Sequence, residues 1–177
     1  MKKMVKSPLL RSAKMPMLEL VLVIGYFSVI SVFILQLFLS ANMLQSKAKD
    51  EGKAIIQCEK FAETVKAADS FEQAKKEYGL LKYSKIDDRK QIEKVIMDKL
   101  EKETEDLFYM LHFDKDWNES KTESVYTMVI IPSINTEFCM NMEEYDVYVF
   151  RLQEYVSLFQ QEGNKELYHL HFTKYRR

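Results

Sequence analysis

The three histidines of this chain are the side chains with the clearest potential for metal chemistry. His169 and His171 alternate with apolar residues, so both lie on one face of a predicted strand. His112 could join them if its own strand lies alongside, and three imidazoles can bind zinc. The opposite face of the last strand, formed by Tyr168, Leu170 and Phe172, is the apolar one, so the histidines are predicted to face water. We therefore expect no metal site.

A second candidate is the acidic segment Asp114–Glu119, which begins like a calcium-binding loop. Its sixth position is Glu119 where that loop needs glycine, and its twelfth is Val125 where it needs glutamate. The segment is therefore predicted to be a solvated hairpin loop.

Other motifs of catalysis are missing from the sequence. It contains no nucleophile elbow, phosphate loop, zinc-protease helix or Cys-x-x-Cys, and four glycines leave few tight turns. We expect no enzyme activity, no cofactor and no small-molecule substrate. The two cysteines, Cys58 and Cys139, leave two alternatives. They could form a disulfide outside the membrane, but the apolar helical spacing around Cys58 favours a small buried side chain.

The element that must position the rest is the uncharged run Leu20–Leu39. At about 1.5 Å per residue it spans roughly 30 Å, the thickness of a bilayer core. The first 17 residues include five basic side chains and no acid, which predicts a cytoplasmic N-terminus and an extracytoplasmic remainder. A cleaved secretory signal is the alternative, but its apolar core would be shorter and Leu39 occupies a position where cleavage needs a small residue. A permanent single-pass membrane anchor is therefore predicted.

The helical pattern continues beyond the apolar run. Apolar residues then recur at alternating steps of four and three, which indicates a helical seam flawed at Glu51. The seam residues are Leu44, Ala48, Ile55, Cys58, Ala62 and Val65. Since no proline interrupts it, one helix is predicted from about Pro16 to Ala67, with Lys47, Asp50 and Lys53 on its charged face. The seam needs a partner, either the protein's own domain or another helix.

The rest of the chain predicts a small α/β domain. Short helices are expected over 70–78, capped by Ser70 and ended by Gly79, and over 88–103. Period-two alternation predicts four strands over 107–113, 125–131, 145–150 and 168–173. Residues at 152, 156 and 159 instead have helical spacing, which suggests a helical turn near Arg151. The predicted fold is α+β: a long N-terminal helix packed on the apolar face of a four-stranded antiparallel sheet.

Four segments follow from these patterns: a basic leader over 1–17, a transmembrane helix over 18–40, its continuation over 41–68 and an α/β head over 69–177. The net charge is −1, of which the first 17 residues contribute +5, so the remainder carries −6. An acidic exterior argues against nucleic acid as a partner. The lipid bilayer is the expected partner of the basic arm and apolar helix.

With these features the chain resembles the type IV pilin and pseudopilin superfamily. Members look like a short basic leader, a stretch such as F-T-L-x-E, an apolar helix and an α/β head. The matching stretch is Met15–Ile24, and Glu63–Asp69 is similar to a stretch in small pilin-like membrane proteins of Firmicutes. The likeness covers the first 55 residues well and the rest in architecture alone.

Two residues carry what the resemblance implies for assembly. If Met15 stands at the first mature position, Glu19 falls at the fifth, where the family keeps a membrane-embedded glutamate that pairs with a neighbouring subunit's N-terminal amine. The family's leader peptidase prefers glycine before the cut, and Lys14 stands there. Cleavage and retention of the leader are therefore both open, and in a retained leader Lys14 of a neighbouring chain could replace the amine. Glu19 could equally be an interfacial acid at a helix N-terminus.

The expected function is a non-catalytic subunit of a surface filament or of a secretion- or competence-type assembly. It would contact other membrane or pilin-like subunits through the long helix. The alternative is a bitopic scaffold or partner-binding protein of the cell envelope, of the kind found in division complexes.

Overall fold

The computed structural model describes residues 14–86, 92, 94–102, 105–120, 124–135, 142–156, 161–162 and 165–175. The chain divides into two compact units, Met1–Leu44 and Gln45–Arg177. We refer to the second unit as the head.

Helix α1 runs without interruption from Lys14 to Ala67, which confirms the predicted single helix of 54 residues. In the first unit its large apolar side chains lie on all sides of the helix, and those from Met17 to Phe38 are exposed apart from the half-buried Ile30. The helix Pro16–Ala67 is long and apolar enough to cross a membrane, and none of its most apolar stretch is buried within the protein. The core helix of a soluble domain can have the same length and composition, but it is mostly buried. The exposure of this stretch is the difference between the two.

The head continues α1 with two short helices and seven strands within its described residues. The helices are α2 (Phe71–Glu77) and α3 (Lys94–Leu100). The strands are β1 (Leu81–Ser84), β2 (Leu107–Phe113), β3 (Tyr126–Asn135), β4 (Met142–Arg151), β5 (Tyr155–Val156), β6 (Gln161–Glu162) and β7 (Lys165–Tyr175).

The main sheet has five antiparallel strands in the order β1-β2-β3-β4-β7. The predicted α+β fold and its meander are therefore confirmed, but the strand count of four was wrong. The missed strand, β1, has only four residues and follows α2 directly, so it offers too short an alternation to detect. Gly79, whose φ of +58° suits glycine, ends α2 as predicted. Ser70 is the N-cap of α2, but its hydroxyl makes no capping hydrogen bond.

The first hydrophobic core lies between α1 and one face of the sheet. It is formed by helix side chains and by the alternate strand residues that point toward them. The largest fully buried contributors are Phe61, Val65, Met128, Ile130, Tyr145, Val147 and Val149. Phe61 packs edge-on against Tyr78 and Phe172, with ring centroids 5.4 and 6.4 Å away.

A second core covers the other face of the sheet, where the sequence predicted a solvated surface. Helix α3 packs there with Ile96 and Leu100, each 1% exposed, against strand residues that include Phe108 and Val129. The prediction of one apolar face was wrong because β2 and β3 are apolar on both faces, as strands covered on both sides are. Of the predicted helix over 88–103, the structure shows Lys94–Leu100 as helical. Within that range, residues 88–91, 93 and 103 lie outside the described residues.

Two connections also differ from prediction. The strand predicted to end at 131 continues through Pro132, which lies within β3 opposite Tyr145 of β4. The β2 partners of β3 end at Ile130, so the missing N–H of Pro132 costs no ladder hydrogen bond on that side. The helical turn expected near Arg151 is absent from the described residues, because Tyr155–Val156 forms a short ladder with Gln161–Glu162. Phe159, on which that spacing depended, lies outside the described residues.

Candidate functional site

The predicted seam of α1 is buried at one end only. Cys58 and Val65 are fully buried and Ala62 is 6% exposed, as predicted. Ile55 is half-buried, whereas Leu44 and Ala48 are exposed, so the head covers only the part of the seam nearer its C-terminal end. The stripe that the head buries follows different positions: Asp50, Ala54, Cys58, Phe61, Ala62 and Val65.

Asp50 is the functional candidate that the sequence placed on the wrong face. It was assigned to the charged, solvated side of the helix, yet it is only 8% exposed. Its carboxylate forms an ion pair with the Arg151 guanidinium, through Arg151 Nη1 and Asp50 Oδ2. The Tyr155 hydroxyl donates a second hydrogen bond to the same oxygen at 2.7 Å. We call Asp50, Arg151, Tyr155 and Tyr126 the Asp50 cluster.

The rest of the Asp50 cluster holds the arginine in place. Arg151 Nη1 also donates to the Tyr126 hydroxyl oxygen at 3.2 Å, and its Nε donates to the Gln153 carbonyl at 2.8 Å. The guanidinium carbon lies 3.9 Å from the centre of the Tyr155 ring, a cation–π contact. Arg151 ends β4 and Asp50 lies on α1, so the cluster ties the helix directly to the sheet.

Burial gives this cluster its energetic weight. The side chains of Asp50 and Arg151 are 11% and 17% exposed, so neither charge has much water around it. Removing one partner of such a pair costs about 3–5 kcal/mol, because the other charge is left buried and unpaired. Burial, reinforced by the negative charge of Asp50, raises the pKa of Tyr126 to about 12 and that of Tyr155 still further. Both phenols therefore stay neutral and can donate hydrogen bonds at physiological pH.

The hairpin loop after β2 supports the Asp50 cluster from one side. Trp117 stacks on Tyr126 with ring centroids 4.1 Å apart and is itself 7% exposed. Trp117 has a φ of +70°, an unusual value for a bulky residue, which the loop enforces. Asp114 Oδ1 accepts hydrogen bonds from the backbone N–H groups of Asp116 and Asn118 at 2.8 and 2.9 Å. The carboxylate thus serves its own turn, and those bonds lower the pKa of Asp114.

The far end of the α1 stripe is held by a lysine. Lys174 Nζ on β7 donates to the backbone carbonyls of Val65 at 2.8 Å and Ala68 at 2.5 Å. Val65 lies in the last turn of α1 and Ala68 directly follows its end at Ala67, so neither carbonyl has a partner within the helix. A cation at this end also interacts favourably with the helix dipole.

The three histidines do not meet. His169 Nε2 and His171 Nδ1 lie 2.8 and 3.1 Å from the same oxygen, Asp146 Oδ1, on the neighbouring strand. Both are exposed, as predicted. His112 lies on β2, which β3 and β4 separate from β7, and its Nδ1 pairs with Thr127 Oγ1 at 2.9 Å. Burial lowers the pKa of His112. Among the residues that the structure describes, no group of three His, Cys, Asp or Glu is arranged to hold a metal ion.

The remaining candidates are single residues. Cys58 is a free, fully buried thiol whose pKa burial raises to about 12, which makes it unreactive. Cys139 lies outside the described residues, so pairing of the two stays untested. Glu19 is exposed in the second turn of α1, and Lys14 is its first residue. Their roles in assembly stay predictions.

The sequence carried little signal for the Asp50 cluster. Asp50 lies among Lys47, Lys49 and Lys53 and looks like one more solvated charge. Arg151 and Tyr155 are a hundred residues away along the chain, and their spacing marks no motif. The arrangement can fix the helix on the sheet. Its carboxylate and its two phenols already make hydrogen bonds within the cluster.

Comparison with known proteins gives no assignment. No protein-family model, no curated protein and no solved structure matches this chain. The fold and the Asp50 cluster therefore define the class by architecture alone: an α+β head on the second half of a long helix whose first half is apolar on all sides.

Proposed function

We propose that this protein is a single-pass membrane protein and a non-catalytic subunit of a pilin- or pseudopilin-like assembly. In this proposal the part of α1 that lies in the first unit anchors the chain in the membrane. The head faces the extracytoplasmic side. The observation that carries it is one continuous helix with two kinds of surface. The large apolar side chains from Met17 to Phe38 are exposed apart from that of Ile30, while Ala54, Cys58, Phe61, Ala62 and Val65 are buried against an antiparallel sheet.

The surface of the first unit supports the membrane anchor. Its exposed side chains include Leu22, Phe27 and Phe33, which are 61–65% exposed. In water such a surface would favour aggregation, whereas in hydrocarbon it is the stable arrangement. The basic residues before it support a cytoplasmic N-terminus.

The buried stripe favours the pilin-like arrangement over a coiled-coil scaffold. Phe61 and Val65, the centre of the stripe, are fully covered by the head. These residues are not available to a partner helix, so partner contacts are left to other parts of α1. A pilin-like subunit uses a helix in this way, half in the membrane and half packed on its own sheet.

Membrane location and orientation are tested with the full chain carrying a C-terminal tag. We expect it to stay in the membrane pellet after alkaline extraction, and we expect external protease to remove the tag from cells whose outer layers are opened. Recovery in the soluble fraction, or protection of the tag, would contradict the proposal. Mass spectrometry of the native N-terminus then distinguishes a cleaved leader from a retained one.

Assembly is tested by photo-crosslinking from positions on the exposed face of α1, such as Leu22 and Phe33. A pilin-like subunit gives crosslinks between neighbouring helices. An intact leader together with no crosslinks between helices would rule out the assembly role and leave the membrane anchor standing.

The second candidate is a bitopic scaffold of the cell envelope. Lys14, in place of the glycine that leader cleavage needs, favours it, and so does the exposure of Leu44, which is 68% exposed. Purification of the full chain from detergent extracts should then recover a defined membrane-protein partner, and substitution of Leu44 by glutamate should release it. A chain that captures no partner contradicts this alternative.

A further inference from the structure

The hairpin loop that follows β2 contains a tripeptide with a specific covalent chemistry. Of the five asparagines in the chain, Asn118 alone has a serine or threonine two positions later, in Asn118-Glu119-Ser120. With a middle residue other than proline, this is the acceptor sequence for attachment of a glycan to an asparagine amide. The motif is short, so its place in the structure decides whether the asparagine can carry a glycan.

The structure places this asparagine on the surface of the head. Asn118 is exposed, and it lies in the connection between β2 and β3 rather than within a strand. Its backbone N–H donates to Asp114 Oδ1 and its carbonyl accepts from the Asp114 N–H, both at 2.9 Å. These bonds form the turn and involve only the backbone of Asn118. A change confined to the side-chain amide therefore leaves the turn intact.

The side-chain amide of Asn118 can accept a substituent without losing its partner. Asn118 Nδ2 carries two hydrogens, and it donates to Asp114 Oδ2 over a long distance of 3.4 Å. A sugar replaces one of these hydrogens, and the other can keep the bond to Asp114. The folded loop is therefore compatible with a glycan at this position.

We propose that Asn118 is an N-glycosylation site of the head. The donor is an oligosaccharide linked through diphosphate to a membrane lipid, and a transferase catalyses the step. Asn118 Nδ2 attacks the anomeric carbon of the first sugar, so a C–N bond forms and the C–O bond to the diphosphate breaks. The lipid diphosphate leaves with the electron pair of that bond, and a base of the transferase takes the Nδ2 proton. The inference rests on the proposed function, because transfer takes place on the extracytoplasmic side of a membrane.

The folded hairpin indicates when transfer occurs. Ser120 is half-buried, and its backbone N–H donates to the His112 carbonyl at 3.0 Å. Glu119 pairs with Phe113 across the same hairpin. A transferase that binds the Ser120 hydroxyl therefore meets this segment in extended form as the chain emerges from the membrane. The hairpin then closes around an asparagine whose amide lies at the surface.

The test is peptide mass spectrometry on the full chain, purified from the membranes of the cells that make it. Trypsin cuts after Lys115 and Lys121 and so releases Asp116–Lys121, in which Asn118 is the single asparagine. We expect this peptide to carry a hexose or N-acetylhexosamine chain, located on Asn118 by electron-transfer fragmentation. A peptide found only unmodified, from chains whose C-terminal tag is open to external protease, would overturn the inference and leave the proposed function standing. A protected tag would contradict the proposed function, and the inference with it.

Variants of the tripeptide separate the acceptor motif from its surroundings. Asn118→Gln and Ser120→Ala should each abolish the added mass, whereas Ser120→Thr, which keeps the hydroxyl, should retain it. Glu119→Gln is the matched control, because it changes the middle residue and leaves the motif complete, so its modification should equal that of wild type. Added mass that persists in Ser120→Ala would overturn the inference, as would its loss in Glu119→Gln.

Discussion

The two parts of α1 use apolar residues in different ways. From Met17 to Phe38 large apolar side chains lie around the whole circumference of the helix, and they are exposed apart from the half-buried Ile30. Beyond Gln45, in the head, the same helix has one narrow buried stripe and charged residues elsewhere. Both stretches are helical, so the backbone conformation does not distinguish them. They differ in whether other parts of the protein cover their apolar side chains. The difference teaches that one continuous helix can carry two kinds of surface, and substitutions can test each part separately.

The largest expected effect comes from the centre of the buried stripe. Phe61→Ala should lower the free energy of unfolding of the head by about 4 kcal/mol, because it leaves a cavity between Tyr78 and Phe172. Urea unfolding in detergent micelles, followed by fluorescence of Trp117, the single tryptophan, measures it.

Two controls isolate this effect. Ile56→Ala removes a side chain that is 61% exposed in the same stretch of helix, and Phe33→Ala removes one that is 61% exposed in the first unit. Each should change the unfolding free energy of the head by about 0.5 kcal/mol or less. A Phe33→Ala effect as large as that of Phe61→Ala would mean that the two parts do not differ as described.

The next effect comes from the Asp50 cluster. Asp50→Ala should cost about 3 kcal/mol, because Arg151 keeps its buried charge without a partner. The neighbouring and exposed Glu51→Ala should cost about 0.5 kcal/mol or less. The double variant Asp50→Leu with Arg151→Met should recover most of the lost stability, since it removes both charges together. Equal losses in Asp50→Ala and Glu51→Ala would show that the buried position of Asp50 does not matter.

A smaller effect is expected where the stripe ends. Lys174→Met should lower stability by about 1 kcal/mol, since the last carbonyls of α1 lose their charged donor. Lys60→Met, an exposed lysine elsewhere on the helix, is the control and should be close to neutral. Hydrogen exchange at the last turn of α1 should quicken in Lys174→Met alone, and unchanged exchange would contradict the capping role.

The smallest effect concerns pH. Burial lowers the pKa of His112 below its ordinary value of about 6.5, so the folded protein favours the neutral ring. The stability that this neutral ring retains is therefore present above pH of about 6.5 and falls as the pH drops through the lowered pKa. His112→Gln should reduce the slope of stability between pH 7 and 5, measured by urea unfolding. A slope identical to that of wild type would contradict this assignment.

Much of the fold could be read from periodicity. The run Leu20–Leu39 predicts its helix because no other element suits that many uncharged residues, and alternation predicts β2, β3, β4 and β7. The β4–β7 pairing is long and regular apart from a bulge at Val149/Phe150. The second core was not predicted because β2 and β3 carry apolar residues on both faces, and alternation alone does not show that both faces are buried.

The Asp50 cluster could not be predicted for a related reason. A strict seven-residue repeat drifts by about 20° per heptad on a straight helix, so over three heptads the predicted seam turns by roughly 60° from the true stripe. The two coincide at Val65 and Cys58 and diverge toward Leu44, where Asp50 replaces Glu51 as the inward residue. The phase of the stripe depends on where the sheet contacts the helix, and the helix sequence alone does not contain that information.

The sequence by itself determined the single long helix, its apolar first half, the acidic head and the antiparallel order of the four longer strands. Each follows from local chemistry: the length of the uncharged run, the period of the helix and the alternation of the strands. The tertiary structure alone decided which side of α1 is buried, that α3 covers the reverse face of the sheet, and that Asp50 meets Arg151. These depend on contacts between different elements, a hundred positions apart for Asp50 and Arg151. Packing and desolvation there decide between arrangements that fit the sequence pattern equally well.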